Sequence, residues 1–581
     1  MKKLLFFAVC LLSCTVLFAS GKAAVDEEYS YDNPYIATFL SNFVGEGVER
    51  TDDTPIGMVL REKFNFVLDY IVDEGAVEEK LAIMLASKDY PDMMWVDNAF
   101  LHRYIDADAL LPLDDLFKDA PNYVARYGPN FPYMRYGLPE DKLYTFSGDT
   151  RWFGPDALYD LSALHYDQDI AVRYDMLEDA GWPQMRSSDD YVDFIIAQQK
   201  KFPKTNGVDT IGLSAPFAAE WGLQGISHSL VQKTATYVES GGNKVAILNT
   251  TTKQYENMIA IDFTKESYEF FNKLYRAGAL DPDIFIDTSA MLGQKINGPN
   301  PPIAYWYSMW THNNVKRAED PANIKLQFIR LPVQSPTQIR NNVKIAEYVG
   351  TSAPAGVVLT RNVKHPERVV EIFDYLATDE GAILANTGLE GRHWVRDANG
   401  KRQLTDSMKE GLLTGGSAWM DAEGLHFNFL REFGIPVGRA ADGQPFALAS
   451  DIAVKDENYL TELERDAYQK LGWENSISGW IDPKFAEPAP RLLEINVILS
   501  PENAELYAIE ERINDWRTKK SAEVIKAATA AEFQVLYQEM LDEINKMGAQ
   551  RVVDWYNEEY AKQAEEIERL KKIKIQTNVA N

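Results

Sequence analysis

The sequence predicts an α/β fold that ends in a helical C-terminal segment. A strand-length apolar run, Ile36–Phe43, is followed by a helical pattern over Val77–Ala86 and by the short apolar run Met93–Val96. Alternation of strand, helix and strand indicates a parallel sheet, in which ligands bind beyond the carboxyl ends of the strands. From Pro501 onwards apolar residues recur with a period near 3.6, which predicts helices that are interrupted at Gly548.

The other predicted elements follow from the same signals. A proline in the first turn opens the helix Pro366–Ala377, and Gly278 ends the amphipathic helix Lys265–Ala277. Further helices are predicted at Tyr174–Ala180 and Ser188–Phe202, and further strands at Phe66–Val72, Ile303–Tyr307 and Gln327–Leu331.

Composition excludes several classes of protein. The chain has 581 residues, of which 45% are hydrophobic and 25% charged, as in ordinary folded proteins. Its 59 basic and 87 acidic residues give a formal net charge of −28. Such a surface is repelled by phosphate backbones, so nucleic acid is not an expected partner. The 12 tryptophans stand out, because this side chain forms flat ligand platforms as well as cores.

Residues 1–21 are predicted to be a secretory signal peptide, because two lysines precede the apolar run Leu4–Phe18 and a group of small residues. Both cysteines, Cys10 and Cys14, lie in this segment, so no disulfide or thiol chemistry is expected afterwards. Lipid attachment at Cys14 is the less favoured alternative, because the apolar run continues beyond that residue. The expected location is the periplasm or the extracytoplasmic cell surface.

Six stretches in fixed order carry a family resemblance: Lys80–Met94 (KLAIMLASKDYPDMM), Leu110–Leu116 (LLPLDDL), Asp141–Tyr144 (DKLY), Tyr174–Pro183 (YDMLEDAGWP), Tyr275–Phe285 (YRAGALDPDIF) and His365–Trp394. Together they resemble family 1 extracellular solute-binding proteins of bacterial ABC importers, in the oligosaccharide-type, LipO-like branch. The resemblance covers the chain from about Asn33 to Trp394.

The resemblance implies a type II periplasmic-binding-protein fold, whose two α/β lobes close on a carbohydrate and present it to the membrane subunits of an ABC permease. A monomer without a cofactor or metal is expected. Lobe 1 would comprise residues 22–150 and about 320–385, and lobe 2 residues 151–319 and about 386–500. Residues 501–581 would form a helical extension.

Sugar recognition requires aromatic faces for C–H surfaces and planar polar groups for hydroxyls. The candidate ligand-binding residues are Trp95, Asp97, Asn98, Arg151, Trp152, Trp221, Trp306, Trp310 and Trp394. Core packing is the competing explanation for each tryptophan, and helix capping for Asp97. Strand alternation places Trp306 and Trp310 on a different face from Tyr305, and we expect the tryptophans to face the ligand.

Catalytic patterns are largely missing, so we expect a protein that is not an enzyme. The seven histidines are scattered, with no HExxH pair and no GxSxG motif. Asp397–Gly400 is explained better by a hairpin turn than by calcium binding. A secreted glycosidase or polysaccharide lyase stays open, because its carboxylate pair is defined by distance in space. A peptide-binding receptor is the other alternative.

Overall fold

The computed structural model describes residues 29–41, 48–72, 77–96, 98–147, 169–218, 237–238, 245–306, 314–343, 349–351, 356–425, 438–458, 460–480, 493–495, 497, 499 and 503–578. The predicted signal peptide lies outside these ranges. None of the helices within them combines the length and the apolar character that a bilayer-spanning helix requires.

The first sheet has five strands, in the order Phe66–Val72, Tyr35–Ser41, Met93–Val96, Gly356–Leu359 and Thr145–Ser147. The first three are parallel, as the alternation of strand and helix predicts. Gly356–Leu359 runs antiparallel to both of its neighbours. The helix Pro366–Leu376 covers one face of this sheet, and its Phe373 stacks on Phe146 with ring centroids 3.5 Å apart.

The second sheet has four strands, in the order Phe328–Pro332, Asp169–Arg173, Ala304–Trp306 and Leu213–Ser214. The sequence predicts that residues 320–385 belong to lobe 1. The strand Phe328–Pro332 lies in this range, but it pairs along its whole length with Asp169–Arg173 and therefore belongs to the second sheet. The reason is packing, because Ile329 and Leu331 are buried in the core around the second sheet.

The sequence predicts that residues from about 386 to 500 belong to lobe 2, but residues 386–425 pack on lobe 1. Leu389 and Leu425 lie against the hydrophobic core around the first sheet, the first core; the core around the second sheet is the second core. Gly424 approaches the start of the helix Pro55–Phe64 so closely that a Cβ there would lie 3.2 Å from the Cβ of Ile56. The helix Glu462–Lys470 belongs to lobe 2, because its Asp466 accepts a hydrogen bond of 2.6 Å from Tyr174.

The predicted helical extension is present as three helices, Ala504–Ile525, Ala530–Met547 and Ala549–Leu570. Their apolar stripes are buried in the core around the second sheet. Gly548 separates the last two helices with φ +108°, a left-handed conformation that glycine adopts without steric cost.

The remaining helices and strands connect or cover these units. The other α-helices among the described residues are Val77–Ser87, Asn98–Asp106, Pro121–Tyr127, Phe131–Met134, Tyr174–Asp179, Ser188–Lys201, Asp262–Arg276, Ser289–Asn297, Asn314–Ala318, Pro336–Arg340, Asp379–Thr387, Asp406–Glu410, Gly416–Glu423 and Ile452–Asn458. The other strands are Lys204–Thr205, Val208–Asp209, Tyr237–Val238, Ala246–Asn249, Gln254–Asn257, Val349–Thr351, Trp394–Arg396, Arg402–Leu404 and Leu493–Ile495.

Candidate functional site between the two sheets

Three strands of the first sheet begin or end at the same edge of the sheet. Gly356 lies opposite both Val96 and Ser147, so the carboxyl ends of two strands meet the start of a third. The second sheet has an equivalent edge, where Asp169 lies opposite Pro332.

Two connections join these edges. The chain runs from Ser147 at the first edge to Asp169 at the second, and it returns from Pro332 to Gly356. The strand ends at these two edges are therefore the candidate ligand-binding position. This is the position at which open α/β sheets place their ligands.

Trp95 is the sequence-predicted residue that the structure places at the first edge with its side chain described. It precedes the last residue of the strand Met93–Val96 and lies opposite Val357. Its side chain is partly buried against the first core and partly exposed. A tryptophan with one side packed and the other accessible fits a platform for an apolar sugar face.

Other predicted site residues remain untested. Asp97, Arg151, Trp152, Trp221 and Trp310 lie outside the described residues. Asn98 begins the helix Asn98–Asp106, directly after the strand that carries Trp95. All six therefore remain predictions.

Trp306 does not face a ligand, which corrects the sequence prediction. It is 3% exposed and packs on Phe270 and Phe271, with ring centroids 5.0 and 5.4 Å apart. Strand alternation does separate it from Tyr305, which packs on Phe328 in another cluster. Because the helix Asp262–Arg276 covers the face that carries Trp306, this tryptophan belongs to the core.

Trp394 is also placed differently from the prediction. It is 5% exposed, its indole N–H donates a 2.8 Å hydrogen bond to the Gly388 carbonyl, and the Arg396 guanidinium lies 5.1 Å from its ring centroid. It borders a groove of about 550 Å³ on lobe 1, together with Val59 and Tyr375. This groove is formed by helices and a hairpin of lobe 1 and not by the two sheet edges described above.

A charged pair at the second edge was not anticipated from the sequence. Arg330 donates from Nε to the Asp169 carboxylate, which is fully buried, and its guanidinium lies 5.9 Å from the ring centroid of Trp480. Trp480 is 3% exposed, so it is a packing residue. A guanidinium held by a buried carboxylate is a planar donor of the kind that sugar hydroxyls require. The available signal was the charge on Asp169 and Arg330 in strands whose middle residues are mostly apolar.

Two buried carboxylates in lobe 2 bear on the glycosidase alternative. Lys295 lies 2.8 Å from Asp281 and 2.6 Å from Asp287, and both carboxylates are fully buried. The Ser214 hydroxyl also donates to Asp281, at 2.7 Å. Burial raises the pKa of Asp287, while the hydrogen bond from Lys295 opposes that shift. Since both carboxylates are fully buried and share the Lys295 ammonium ion, they are not presented to an external sugar.

A second buried network lies in the part of the chain that carries Trp394. His393 is 1% exposed, its Nδ1 accepts a 2.8 Å hydrogen bond from the Leu389 N–H, and its Nε2 therefore donates to Glu423 at 3.0 Å. Glu423 also accepts two hydrogen bonds from Arg392, at 2.6 and 2.8 Å. Gly388 is required beside this ring, because a Cβ there would lie 2.1 Å from the His393 Nδ1 and φ is +90°.

We expect this network to lose stability in acid. Burial lowers the pKa of His393 below 6.5, and the hydrogen bonds from Arg392 lower the pKa of Glu423 below 4.5. The unfolded chain then binds more protons, so the stabilisation is complete above pH 6.5 and is lost as the pH falls through each folded-state pKa. Thermal midpoints measured between about pH 7 and pH 4 should fall less steeply in a His393→Gln variant than in the parent. Identical slopes would contradict the assignment of His393 as a buried neutral residue.

Comparison with known proteins shows what the fold is. No protein-family model matches the chain, and no protein of curated function matches it. Solved structures do match over nearly the whole chain. One is the S. pneumoniae ABC-transporter substrate binding protein FusA in complex with kestose, which is 15% identical, covers 91% of this chain and 100% of its own, and has a TM-score of 0.55.

Two further solved structures have the same architecture. An HMO-binding, ABC-transporter-associated solute-binding protein from Bifidobacterium longum infantis is 13% identical, covers 91% of this chain and 99% of its own, and has a TM-score of 0.56. The N-glycan transport solute binding protein NgtS from Streptococcus pneumoniae is 15% identical, covers 92% and 99%, and has a TM-score of 0.53. The two-lobed α/β fold with a helical C-terminal region that the sequence predicts is thus confirmed.

Proposed function

We propose that this protein is an extracytoplasmic solute-binding receptor of an ABC importer, and that it binds an oligosaccharide between its two lobes. The observation that supports the proposal is the two-lobed α/β fold, in which the chain joins an edge of the first sheet to an edge of the second sheet twice. It is supported by the three structures described above, which are named as binding kestose, as HMO-binding and as an N-glycan transport protein.

The mechanism is closure of the two lobes on the sugar. A ligand that contacts both edges makes more contacts when the lobes are closed, so its binding shifts the population towards the closed state. Trp95 supplies an apolar surface from lobe 1, and the Arg330–Asp169 pair supplies a fixed planar donor from lobe 2. The sugar is bound and released unchanged.

The proposed partners follow from this role. The membrane subunits of an ABC permease would receive the closed, sugar-loaded form. The receptor would act as a monomer at the periplasmic or outer face of the membrane. Its net charge of −28 disfavours binding to nucleic acid.

The proposal is tested by a thermal-shift screen with a panel of oligosaccharides, an equal panel of peptides, and an assay for newly formed reducing ends. We expect at least one class of oligosaccharide to raise the thermal midpoint, no response to the peptides and no new reducing ends. A response to peptides alone would identify a peptide receptor. Release of reducing ends would identify a hydrolase or lyase.

Replacing Trp95 with alanine is expected to weaken binding of the responding sugar by about tenfold, because one aromatic stacking contact is worth roughly 1.4 kcal/mol. Isothermal titration measures this change. Trp555→Ala is the matched control, since Trp555 is also partly buried but packs in the second core with the tail helices. Equal effects of the two substitutions on affinity would remove Trp95 from the proposed site.

A further inference from the structure

The last helix, Ala549–Leu570, is anchored in lobe 2 along its first half. Val552 and Tyr556 are buried in the second core. Asn557 accepts a 2.7 Å hydrogen bond from the backbone N–H of Tyr255 and donates one of 3.0 Å to the carbonyl of the same residue. Tyr255 lies in the strand Gln254–Asn257, so this half of the helix is fixed to lobe 2 by apolar packing and by backbone hydrogen bonds.

The second half of the same helix, and the residues after it, contact lobe 1. Glu559 accepts a 3.0 Å hydrogen bond from the Tyr136 hydroxyl. Farther along, the backbone N–H of Asn578 donates to the Lys118 carbonyl at 2.8 Å, and Ile575 packs against the first core. A helix of 22 residues is about 33 Å long, which is sufficient to bridge two domains.

An ion pair also joins this segment to lobe 1. Arg569 binds both oxygens of the Asp141 carboxylate, at 2.7 and 2.5 Å, and also binds Glu566 one turn earlier. Asp141 follows Glu140 in a turn where both residues have positive φ, +54° and +57°, a conformation that side-chain-bearing residues rarely adopt. The carbonyl of Asp141 accepts a hydrogen bond from the buried Arg135, so lobe 1 holds the backbone of this turn in place.

We propose that residues 559–578 form a clasp, a non-covalent connection between the lobes that sets their separation in the free protein. The chain itself also joins the two sheets, between Ser147 and Asp169 and between Pro332 and Gly356. The clasp, in contrast, joins lobe 1 to a helix that is rigidly packed in lobe 2, so the lobes change separation only if its contacts shear or break. Its effect on sugar affinity rests on the proposed function, whereas its effect on lobe separation does not.

The clasp is tested by measuring the distance between the lobes without any ligand. Since both cysteines lie within the predicted signal peptide, spin labels on Ile83→Cys and Val208→Cys would be unique in the mature chain. Ile83 lies in a helix of lobe 1 and Val208 in a hairpin of lobe 2, and the two side chains are 67% and 51% exposed. Double electron–electron resonance then reports the distribution of lobe separations.

We expect the combined variant Arg569→Ala and Tyr136→Phe to change the ratio of the populated separations by about two- to fivefold, the range for a few surface polar contacts. Arg551→Ala is the matched control, because it removes a 2.6 Å ion pair with Glu505 from the same helix but within the tail. Its distribution should equal that of the parent. About 1 M NaCl, which shortens the Debye length to about 3 Å, should shift the parent towards the variant.

The charge-swapped protein Arg569→Asp with Asp141→Arg completes the test. Restoration of the parent distribution supports the clasp and shows that the variants fold. A combined variant with the same distribution as the parent would overturn the clasp, whether or not any sugar binds. If a responding sugar is available, its dissociation constant should change in the clasp variant and not in Arg551→Ala.

Discussion

Replacing Trp306 with alanine is expected to lower the free energy of unfolding by about 3–5 kcal/mol. The indole is 3% exposed and fills the space between the second sheet and the helix Asp262–Arg276, where it contacts Phe270 and Phe271. Its removal leaves a cavity that the surrounding strands cannot fill. Urea denaturation monitored by circular dichroism measures the loss.

The same variant distinguishes a core residue from a ligand platform. Because Trp306 is enclosed, the folded fraction of Trp306→Ala should bind the responding sugar with the affinity of the parent. Trp306→Phe, which preserves most of the apolar volume, should lose clearly less stability. A strong loss of affinity with little loss of stability would show instead that Trp306 contacts the ligand.

Lys295→Met is expected to destabilise the protein on the order of 3 kcal/mol at neutral pH, because it leaves two carboxylates buried without a counterion. The Lys295 ammonium lies within 2.8 Å of both Asp281 and Asp287, and neither carboxylate is exposed. Lys325→Met is the matched control, since Lys325 forms a 2.5 Å pair with Glu178 in which both side chains are largely exposed. That control should lose no more than about 1 kcal/mol.

The pH dependence of the Lys295→Met variant has a definite sign. Burial raises the pKa of Asp287 above its ordinary value of 3.8 even with the ammonium present. Without the ammonium the folded variant binds more protons than the unfolded chain, so its stability should rise as the pH falls from 7 towards about 4. A variant whose stability equals that of Lys325→Met, or falls over this pH range, would contradict the proposed role of Lys295.

Local signals in the sequence were sufficient to predict most secondary structure. The strand Met93–Val96 was bounded correctly, because a proline turn precedes it and its apolar run is short. The helix predicted at Lys265–Ala277 extends over Asp262–Arg276, with its apolar stripe buried as expected. Both results depend on periodicity and on turn residues, which act within a few positions along the chain.

Assignments that depend on distant partners were less accurate. Strand alternation separated Trp306 from Tyr305, but tertiary packing buries both: Trp306 lies under the helix Asp262–Arg276 and Tyr305 packs on Phe328. The lobe to which Phe328–Pro332 belongs depends on its pairing with Asp169–Arg173. Arg330 and Asp169 are 161 positions apart, so no local pattern indicates that they form a pair.

The measurement that tests the central claim most directly is the separation of the two lobes with and without the sugar that gives the largest thermal shift. Spin labels at Ile83→Cys and Val208→Cys report this distance. We predict that the distance shortens in a saturable, one-to-one response and that the sugar is recovered intact. Binding that leaves the distance unchanged, or conversion of the sugar into new reducing ends, would contradict an account in which the protein closes on an oligosaccharide without altering it.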